Sequence, residues 1–113
     1  MKIRMLVFAM IVALVPASAV HAQNLNAPGC PGPGFRSIQT SQQVTMTVRN
    51  QSPEPVDVYW ADFNGNLQFY QTVQPGGAYD QGTYAAHSWV FWQGNRCEFY
   101  LTMPTMSQTV DIR

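Results

Sequence analysis

Hydrophobic and polar residues alternate in short runs along most of the chain, and no run repeats with the period of a helix. Short runs of β-branched and aromatic residues, separated by glycine, proline and asparagine, are typical of β-strands and turns. The predicted strands lie near Val44–Arg49, Val56–Trp60, Leu67–Thr72, Tyr79–Thr83, Ser88–Trp92, Glu98–Thr102 and Thr109–Arg113. Seven short strands without a helix predict an all-β fold, a seven-stranded antiparallel β-sandwich.

One predicted strand, Ser88–Trp92, is hydrophobic on both faces. Trp89 and Phe91 point to one side of an extended chain. Val90 and Trp92 point to the other side. A strand of this kind is either central in its sheet or has one face that receives a ligand.

The first 22 residues have the pattern of a secretory signal peptide, with a basic start, an apolar run, and Val20 and Ala22 just before the predicted cleavage point. The apolar run is too short for an ordinary membrane span. We therefore expect a secreted or periplasmic protein without membrane insertion. Residues 23–36 are predicted to form a Pro/Gly-rich arm, and residues 37–113 a single domain.

The chain has two cysteines, Cys30 and Cys97. Disulfides persist outside the cytosol, where the predicted signal peptide would direct the protein. A domain of about 90 residues buries a limited share of its surface and benefits from a covalent cross-link. We predict a Cys30–Cys97 disulfide, which stabilises by about 4 kcal/mol in the chain-entropy account.

Charge and composition exclude several functions. After the predicted leader the chain has four arginines, six carboxylates and no lysine, so its net charge is −2. No basic stripe is present, and nucleic acids and anionic membranes are therefore not expected as partners. Without a lysine, Schiff-base chemistry and a P-loop are excluded. The carboxylates are predicted at turns or exposed strand positions, which disfavours glycoside cleavage.

His87 is the only histidine that follows the predicted leader. One imidazole and two paired cysteines do not supply a metal site, so neither a metal nor a cofactor is expected. No nucleophile-elbow motif is present. A hydrolase would require an acidic or serine side chain within hydrogen-bond reach of His87. The composition thus favours a protein that is not an enzyme.

Every second residue around His87 would point to the same side of an extended strand. Thr83, Ala85, His87, Trp89 and Phe91 would line one face of an extended segment. A hydroxyl, an imidazole and an indole on one face can form a small pocket, and tryptophan is well suited to recognition. The same residues can equally form a packed core. The pattern leaves both interpretations open.

Over about residues 44–91 the order of residues resembles the β domain of the von Hippel–Lindau tumour suppressor. The shared landmarks are Asn50 with Ser52-Pro53, Trp60-x-x-Phe-x-Gly ending at Gly65, Tyr70-x-Thr, Pro75-Gly76, and Thr83-Tyr84-x-x-His87-x-Trp89-x-Phe91. The resemblance implies the same seven-stranded sandwich. It also implies peptide recognition, because the eukaryotic domain binds an extended peptide of the hypoxia-inducible factor and takes its hydroxyproline into a pocket.

That pocket consists of a tryptophan, a tyrosine, a serine, a histidine and a second tryptophan. The matching positions in this sequence are Trp60, Tyr70, Thr83, His87 and Trp89. Threonine replaces serine and keeps the hydroxyl. The resemblance thus implies that the three large aromatic side chains wall a space the size of a pyrrolidine ring. Thr83 and His87 would form hydrogen bonds with a hydroxyl group of the ligand.

The resemblance also has limits. The tumour suppressor has a second, helical domain that docks a ubiquitin-ligase partner, and no such partner is expected here because no helical segment follows. Small secreted members with only the β domain are mostly bacterial.

We therefore expect a secreted or periplasmic, non-catalytic module that recognises an extended peptide or a small proline- or hydroxyproline-like ligand. The alternative is a disulfide-stapled envelope protein that acts by protein contact, as an inhibitor or assembly subunit, with a purely structural aromatic cluster.

Overall fold

The computed structural model describes residues 19–21 and 29–113. The predicted cleavage point after Ala22 lies outside the described residues, as do residues 1–18 of the predicted leader and residues 23–28 of the predicted arm. The strands are β1 (Ala19–His21), β2 (Gln43–Asn50), β3 (Val56–Ala61), β4 (Leu67–Val73), β5 (Ala78–Tyr84), β6 (Ser88–Gln93), β7 (Arg96–Thr102) and β8 (Gln108–Ile112). Strands β2 to β8 confirm the seven predicted strands.

The strands form two sheets, with the order β1-β8-β2-β5 in the first and β4-β3-β6-β7 in the second. The prediction of a β-sandwich is confirmed. Two pairs depart from antiparallel pairing, because β8 runs parallel to β2 and also to β1. Between β7 and β8 the chain crosses from the second sheet to the first without a hairpin turn, so β8 is free to run alongside β2 in the same direction.

The core lies between the two sheets and follows the two-residue period of the strands. In β2 every second residue is buried, which places Val44, Met46 and Val48 in the interior. Fully or almost fully buried partners come from the facing sheet and from β8: Val56, Val58, Trp89, Phe91, Phe99, Val110 and Ile112. Strand β6 is central in its sheet, between β3 and β7. The two-sided hydrophobic pattern of this strand therefore reflects its central position.

Residues 29–36 of the predicted arm cover part of the outer face of the second sheet. Cys30 and Cys97 form the predicted disulfide, which attaches the arm to β7. The ring of Phe35 packs edge-on against that of Tyr100, with the centroids 5.3 Å apart. Between the arm and the sheet lies a cavity of about 330 Å³ that Val90 helps to line. Because the arm lies over this face, the side chain of Val90 is buried although it points outward from β6.

Asn50 organises the connection between β2 and β3. Its side-chain amide donates hydrogen bonds to the carbonyl oxygens of Glu54 and Val73, at 2.7 and 2.9 Å. Its side-chain oxygen accepts from the backbone and the hydroxyl group of Ser52. A buried amide whose groups are all bonded specifies one conformation of this turn. Asn50, the first of the shared landmarks, therefore has a structural role. It lies at the opposite end of β3 from Trp60.

The prediction that every carboxylate lies at a turn or an exposed position is wrong for Asp111. It is 4% exposed and lies on β8. The parallel pairing of β2 and β8 places Arg49 opposite Asp111, and the Nε atom of Arg49 lies 3.2 Å from Oδ1. Arg113 also approaches this carboxylate, at 3.7 Å. The prediction failed because strand register, which sequence spacing does not show, supplies these cations.

Candidate ligand-binding site

All five predicted site residues line one recess of about 180 Å³. Trp60 comes from β3, Tyr70 from β4, Thr83 from β5, His87 from the turn before β6, and Trp89 from β6. Strands β4 and β5 are the outermost strands of their sheets, so the recess lies where the edges of the two sheets meet. Pockets for drug-sized ligands measure about 300–1,000 Å³, and this smaller recess suits a single ring or side chain.

Trp89 and Thr83 form the floor of the recess. Trp89 is 2% exposed, and its indole Nε1 donates a hydrogen bond to Thr83 Oγ1 at 3.1 Å. The two residues belong to different sheets, so this bond links the halves of the sandwich. His87 is also buried. The floor is therefore part of the core as well as part of the recess.

The prediction that residues 83–91 form one extended face is wrong. The chain turns between β5 and β6, and Ala86 adopts a left-handed conformation with φ of 68°. The backbone N–H of His87 donates to the carbonyl oxygen of Tyr84 at 3.1 Å, which closes this turn. Thr83 and Trp89 nevertheless meet, because each strand directs them toward the interior between the sheets.

The rim of the recess is aromatic and accessible. Tyr70 is 46% exposed, and its ring lies 5.0 Å from that of Trp89 in an edge-to-face arrangement. Phe63 was assigned no role by the sequence reasoning, yet its ring lies 5.3 Å from Trp60 and 5.4 Å from His87. Tyr84, 5.2 Å from His87, was also missed. Both belong to the landmarks Trp60-x-x-Phe and Thr83-Tyr84, which could have indicated them.

The hydrogen bond between Trp60 and His87 defines the protonation of the imidazole. Trp60 Nε1 donates to His87 Nδ1 at 3.2 Å. Because an indole nitrogen can only donate, Nδ1 has no proton and neutral His87 carries its proton on Nε2. Burial lowers the pKa of His87 below its ordinary value of 6.5. The imidazole is therefore uncharged at neutral pH.

Acidification is expected to destabilise the domain through His87. The folded protein binds the proton less readily than the unfolded chain, so the free energy of unfolding falls as the pH drops below 6.5 and levels off below the folded-state pKa. Protonation of Nδ1 would also remove the bond from Trp60. Urea unfolding between about pH 7.5 and about pH 5 measures this change.

His87→Gln is the control for this experiment, because glutamine does not titrate. If the loss of stability that the wild type shows on acidification persists in the variant, the assignment to His87 is contradicted. Hydrogen bonds from the backbone N–H of Asn66 and the side chain of Gln68 hold the pKa of Asp62 below 3.8. This carboxylate therefore affects stability only at more acidic pH. Its contribution is lost as the pH falls through that lower range.

The recess has no charged lining residue when His87 is neutral. Within the described part of the chain, the only side-chain hydrogen bond of the His87 imidazole is with Trp60, so the acidic or serine partner that a hydrolase needs is not in place. No three His, Cys, Asp or Glu residues among those described lie close enough together to hold a metal ion. Over the same residues, no helix has the length and hydrophobicity needed to cross a membrane.

Fold and site together define a small, disulfide-linked β-sandwich with an uncharged aromatic recess at its sheet edges. The family model of the VHL beta domain matches residues 35–103, more than half of the chain. The chain belongs to the VHL beta-domain family. All five predicted site residues fall within the match, whereas Cys30, which anchors the arm, precedes it.

Proposed function

We propose that this protein is a non-catalytic binding module that takes an extended peptide or protein segment along β5 and one ring-bearing residue, such as proline, into the recess. The observation that carries this proposal is the position of the recess beside an edge strand. An edge strand presents backbone N–H and C=O groups to which an added strand can bind. Side chains of the added strand would then reach the recess directly.

The backbone of β5 is accessible next to the recess. Gly82 lines the recess, and a Cβ atom added there would meet nothing within 4 Å. A glycine with open space beside it allows the close approach of another backbone. Thr83 and Tyr84 follow on the same strand and also line the recess. A strand paired with β5 would therefore pass directly along the opening.

A polar groove of about 400 Å³ continues from the recess and shares Phe63, Tyr84 and His87 with it. Its other lining residues have amide and hydroxyl side chains: Gln39, Thr40, Ser41 and Gln43. Such groups form hydrogen bonds with a peptide backbone and do not require a charged ligand. This arrangement supports an extended ligand, with one residue in the recess and its neighbours in the groove.

The walls suit a proline-like ring. A pyrrolidine ring packs well against flat aromatic faces, and it is already restricted in conformation, which lowers the entropic cost of binding. Trp60, Tyr70 and Trp89 provide aromatic surface for such a ring within the recess. Proline- or hydroxyproline-containing segments are therefore the proposed ligands.

The proposed location is outside the cytosol, in a secreted or periplasmic protein. Two features support it: the signal-peptide pattern of residues 1–22 and the Cys30–Cys97 disulfide, a bond that persists in oxidising compartments. The proposed partner is an extracytosolic protein or peptide. No ubiquitin-ligase partner is proposed.

Burial of the recess floor favours a second candidate function. Thr83, His87 and Trp89 are all buried and bonded within the cluster. The same geometry therefore fits a stapled envelope protein that acts by protein contact, as an inhibitor or assembly subunit, with the cluster serving only the core. The exposed ring of Tyr70 distinguishes the two functions, because it contributes to ligand binding only in the first.

We expect Tyr70→Ala to weaken binding of a capped proline-containing peptide by about tenfold, which is about 1.4 kcal/mol. The peptide loses one aromatic wall, while the exposed position of Tyr70 keeps the fold intact. Isothermal calorimetry of wild type and variant gives the two affinities, and tryptophan fluorescence provides a second readout.

Phe69→Ala is the matched control. Phe69 is the adjacent residue on β4, is 57% exposed, and packs against Tyr59 instead of lining the recess. Its removal should change the affinity by less than about twofold. Equal affinities of the Tyr70→Ala and wild-type proteins would contradict the assigned site. The absence of saturable binding to any proline or hydroxyproline peptide would favour the second function.

A further inference from the structure

The cavity between the arm and the second sheet is separate from the recess. It measures about 330 Å³ and shares no lining residue with the recess. The Cys30–Cys97 disulfide lies in its lining and holds the arm over the sheet. Pockets for drug-sized ligands begin at about 300 Å³, so this cavity has room for one ring with a short side chain.

Hydrophobic side chains from the arm and from two strands line most of the cavity. Val90 and Trp92 lie two residues apart on β6 and therefore point to the same outer face. Phe35 of the arm and Leu67 of β4 lie around them. Two of these four side chains are aromatic, and aromatic rings pack well against one another. The lining thus suits a ligand with a small aromatic body.

The indole N–H of Trp92 is a buried donor. Its nitrogen has no hydrogen-bond partner among the residues that the structure describes. Most buried polar side-chain atoms do have a partner, and an indole nitrogen can only donate. Because the nitrogen is covered, a ligand oxygen would reach it through a small shift of the lining groups. Trp92 therefore favours a ligand with an oxygen that accepts a hydrogen bond.

Arg36 gives the cavity a positive charge that its lining does not offset. The residue is exposed, and its guanidinium forms no ion pair within residues 29–113. No aspartate or glutamate is among the described residues that line the cavity. A guanidinium binds a carboxylate through two parallel hydrogen bonds. The charge of the cavity therefore favours a ligand with one carboxylate.

We propose that the cavity beneath the arm is a binding site for a small aromatic monocarboxylate. The ring of the ligand packs against Phe35 and Trp92, and its carboxylate binds Arg36 and the N–H of Trp92. A single cation matches a single negative charge and does not provide for a polyanion such as a nucleotide. This site is independent of the recess and of the proposed peptide binding.

The test compares 3-phenylpropionate with 3-phenylpropionamide, which has nearly the same shape and no charge. Calorimetry at about pH 7.5 should show saturable binding of the carboxylate with a Kd at or below about 1 mM. The amide should bind about tenfold more weakly, because it lacks the charge that Arg36 recognises. Equal affinities of the two compounds, or no saturable binding of the carboxylate, would overturn the proposal.

Arg36→Gln removes the cation at an exposed position and leaves the core unchanged. Affinity for the carboxylate should fall about tenfold, while affinity for the amide changes less than about twofold. Arg96→Gln is the matched control, because Arg96 is exposed, lies next to Cys97 outside the lining, and is paired with Glu54. This control should change either affinity less than about twofold. An equal loss of carboxylate affinity in both variants contradicts a specific role of Arg36.

The indole N–H signals in a ¹H–¹⁵N spectrum of the unmodified protein locate the ligand without any variant. Addition of 3-phenylpropionate should shift the signal of Trp92 and leave those of Trp60 and Trp89 in place. Shifts at Trp60 and Trp89 instead would put the compound in the recess and overturn the proposal. Trp92→Phe keeps a ring and removes the donor, so affinity for both compounds should fall about fivefold. Unchanged affinities in that variant would also overturn it.

Discussion

Replacing both Cys30 and Cys97 by alanine is expected to lower the free energy of unfolding by about 4 kcal/mol. The disulfide joins residues 67 positions apart, and its loss lets the unfolded chain explore many more conformations. Domains of this size are commonly stable by only about 5–15 kcal/mol, so most of the margin could disappear. Urea unfolding of the oxidised protein and the double variant measures the difference.

A reducing agent supplies the control for this prediction. It should destabilise the wild-type protein to the level of the variant and leave the variant unchanged. Trp92 lines the cavity beneath the arm, so its fluorescence should report release of the arm in both cases. If reduction changes the unfolding midpoint of the wild type only slightly, the disulfide does not limit the unfolded state as the loop length implies.

Trp89→Ala is expected to cost about 3–5 kcal/mol of stability, which is typical of a buried aromatic side chain. Trp89 is 2% exposed, packs against Tyr70 and donates the hydrogen bond that links β6 to Thr83 on β5. The variant would therefore lose packing, a cross-sheet bond and part of the floor of the recess together. The shift of the urea midpoint, with the slope held constant, measures this loss.

Trp89→Phe separates packing from hydrogen bonding. Phenylalanine keeps an aromatic ring and removes only part of the volume and the donor, so we expect a loss of about 1–2 kcal/mol. A similar cost for both variants would show that the hydrogen bond to Thr83, and not the packed volume, dominates. Because Trp89→Ala threatens the fold, lost binding in that variant does not by itself demonstrate a ligand contact. Tyr70→Ala is the sharper test of binding.

Local patterns were sufficient to predict the strands. Alternation with a period of two follows from backbone geometry, and turns such as Asn64-Gly65 depend on residues that tolerate unusual dihedral angles. Gly65, for example, has φ of 89°. The same local reasoning could not predict that β8 runs parallel to β2, since pairing of distant strands depends on the whole topology. Asp111 shows the consequence, because its ion pair with Arg49 arises from that register.

The residues of the candidate site were predicted from the order of the family landmarks along the chain, and not from the alternation of side chains along a strand. Parity placed residues 83–91 on one extended face, yet the left-handed turn at Ala86 separates Thr83 and Trp89 into different sheets. The landmarks preserve the order of the five residues along the chain, and the fold brings all five to one recess. Phe63 and Tyr84 were missed because being part of a landmark does not reveal contact with His87.

The sequence alone determined the all-β fold and the disulfide partners, because these follow from local periodicity, turn chemistry and cysteine number. Its resemblance to a known family supplied five of the residues that line the recess. Only the tertiary structure decided that the recess has a buried floor and an exposed rim, and that it lies beside β5, which among the described residues is the outermost strand of its sheet. It also decided the orientation of the hydrogen bond from Trp60 to His87. These properties depend on distances between strands of two sheets, which only folding brings together.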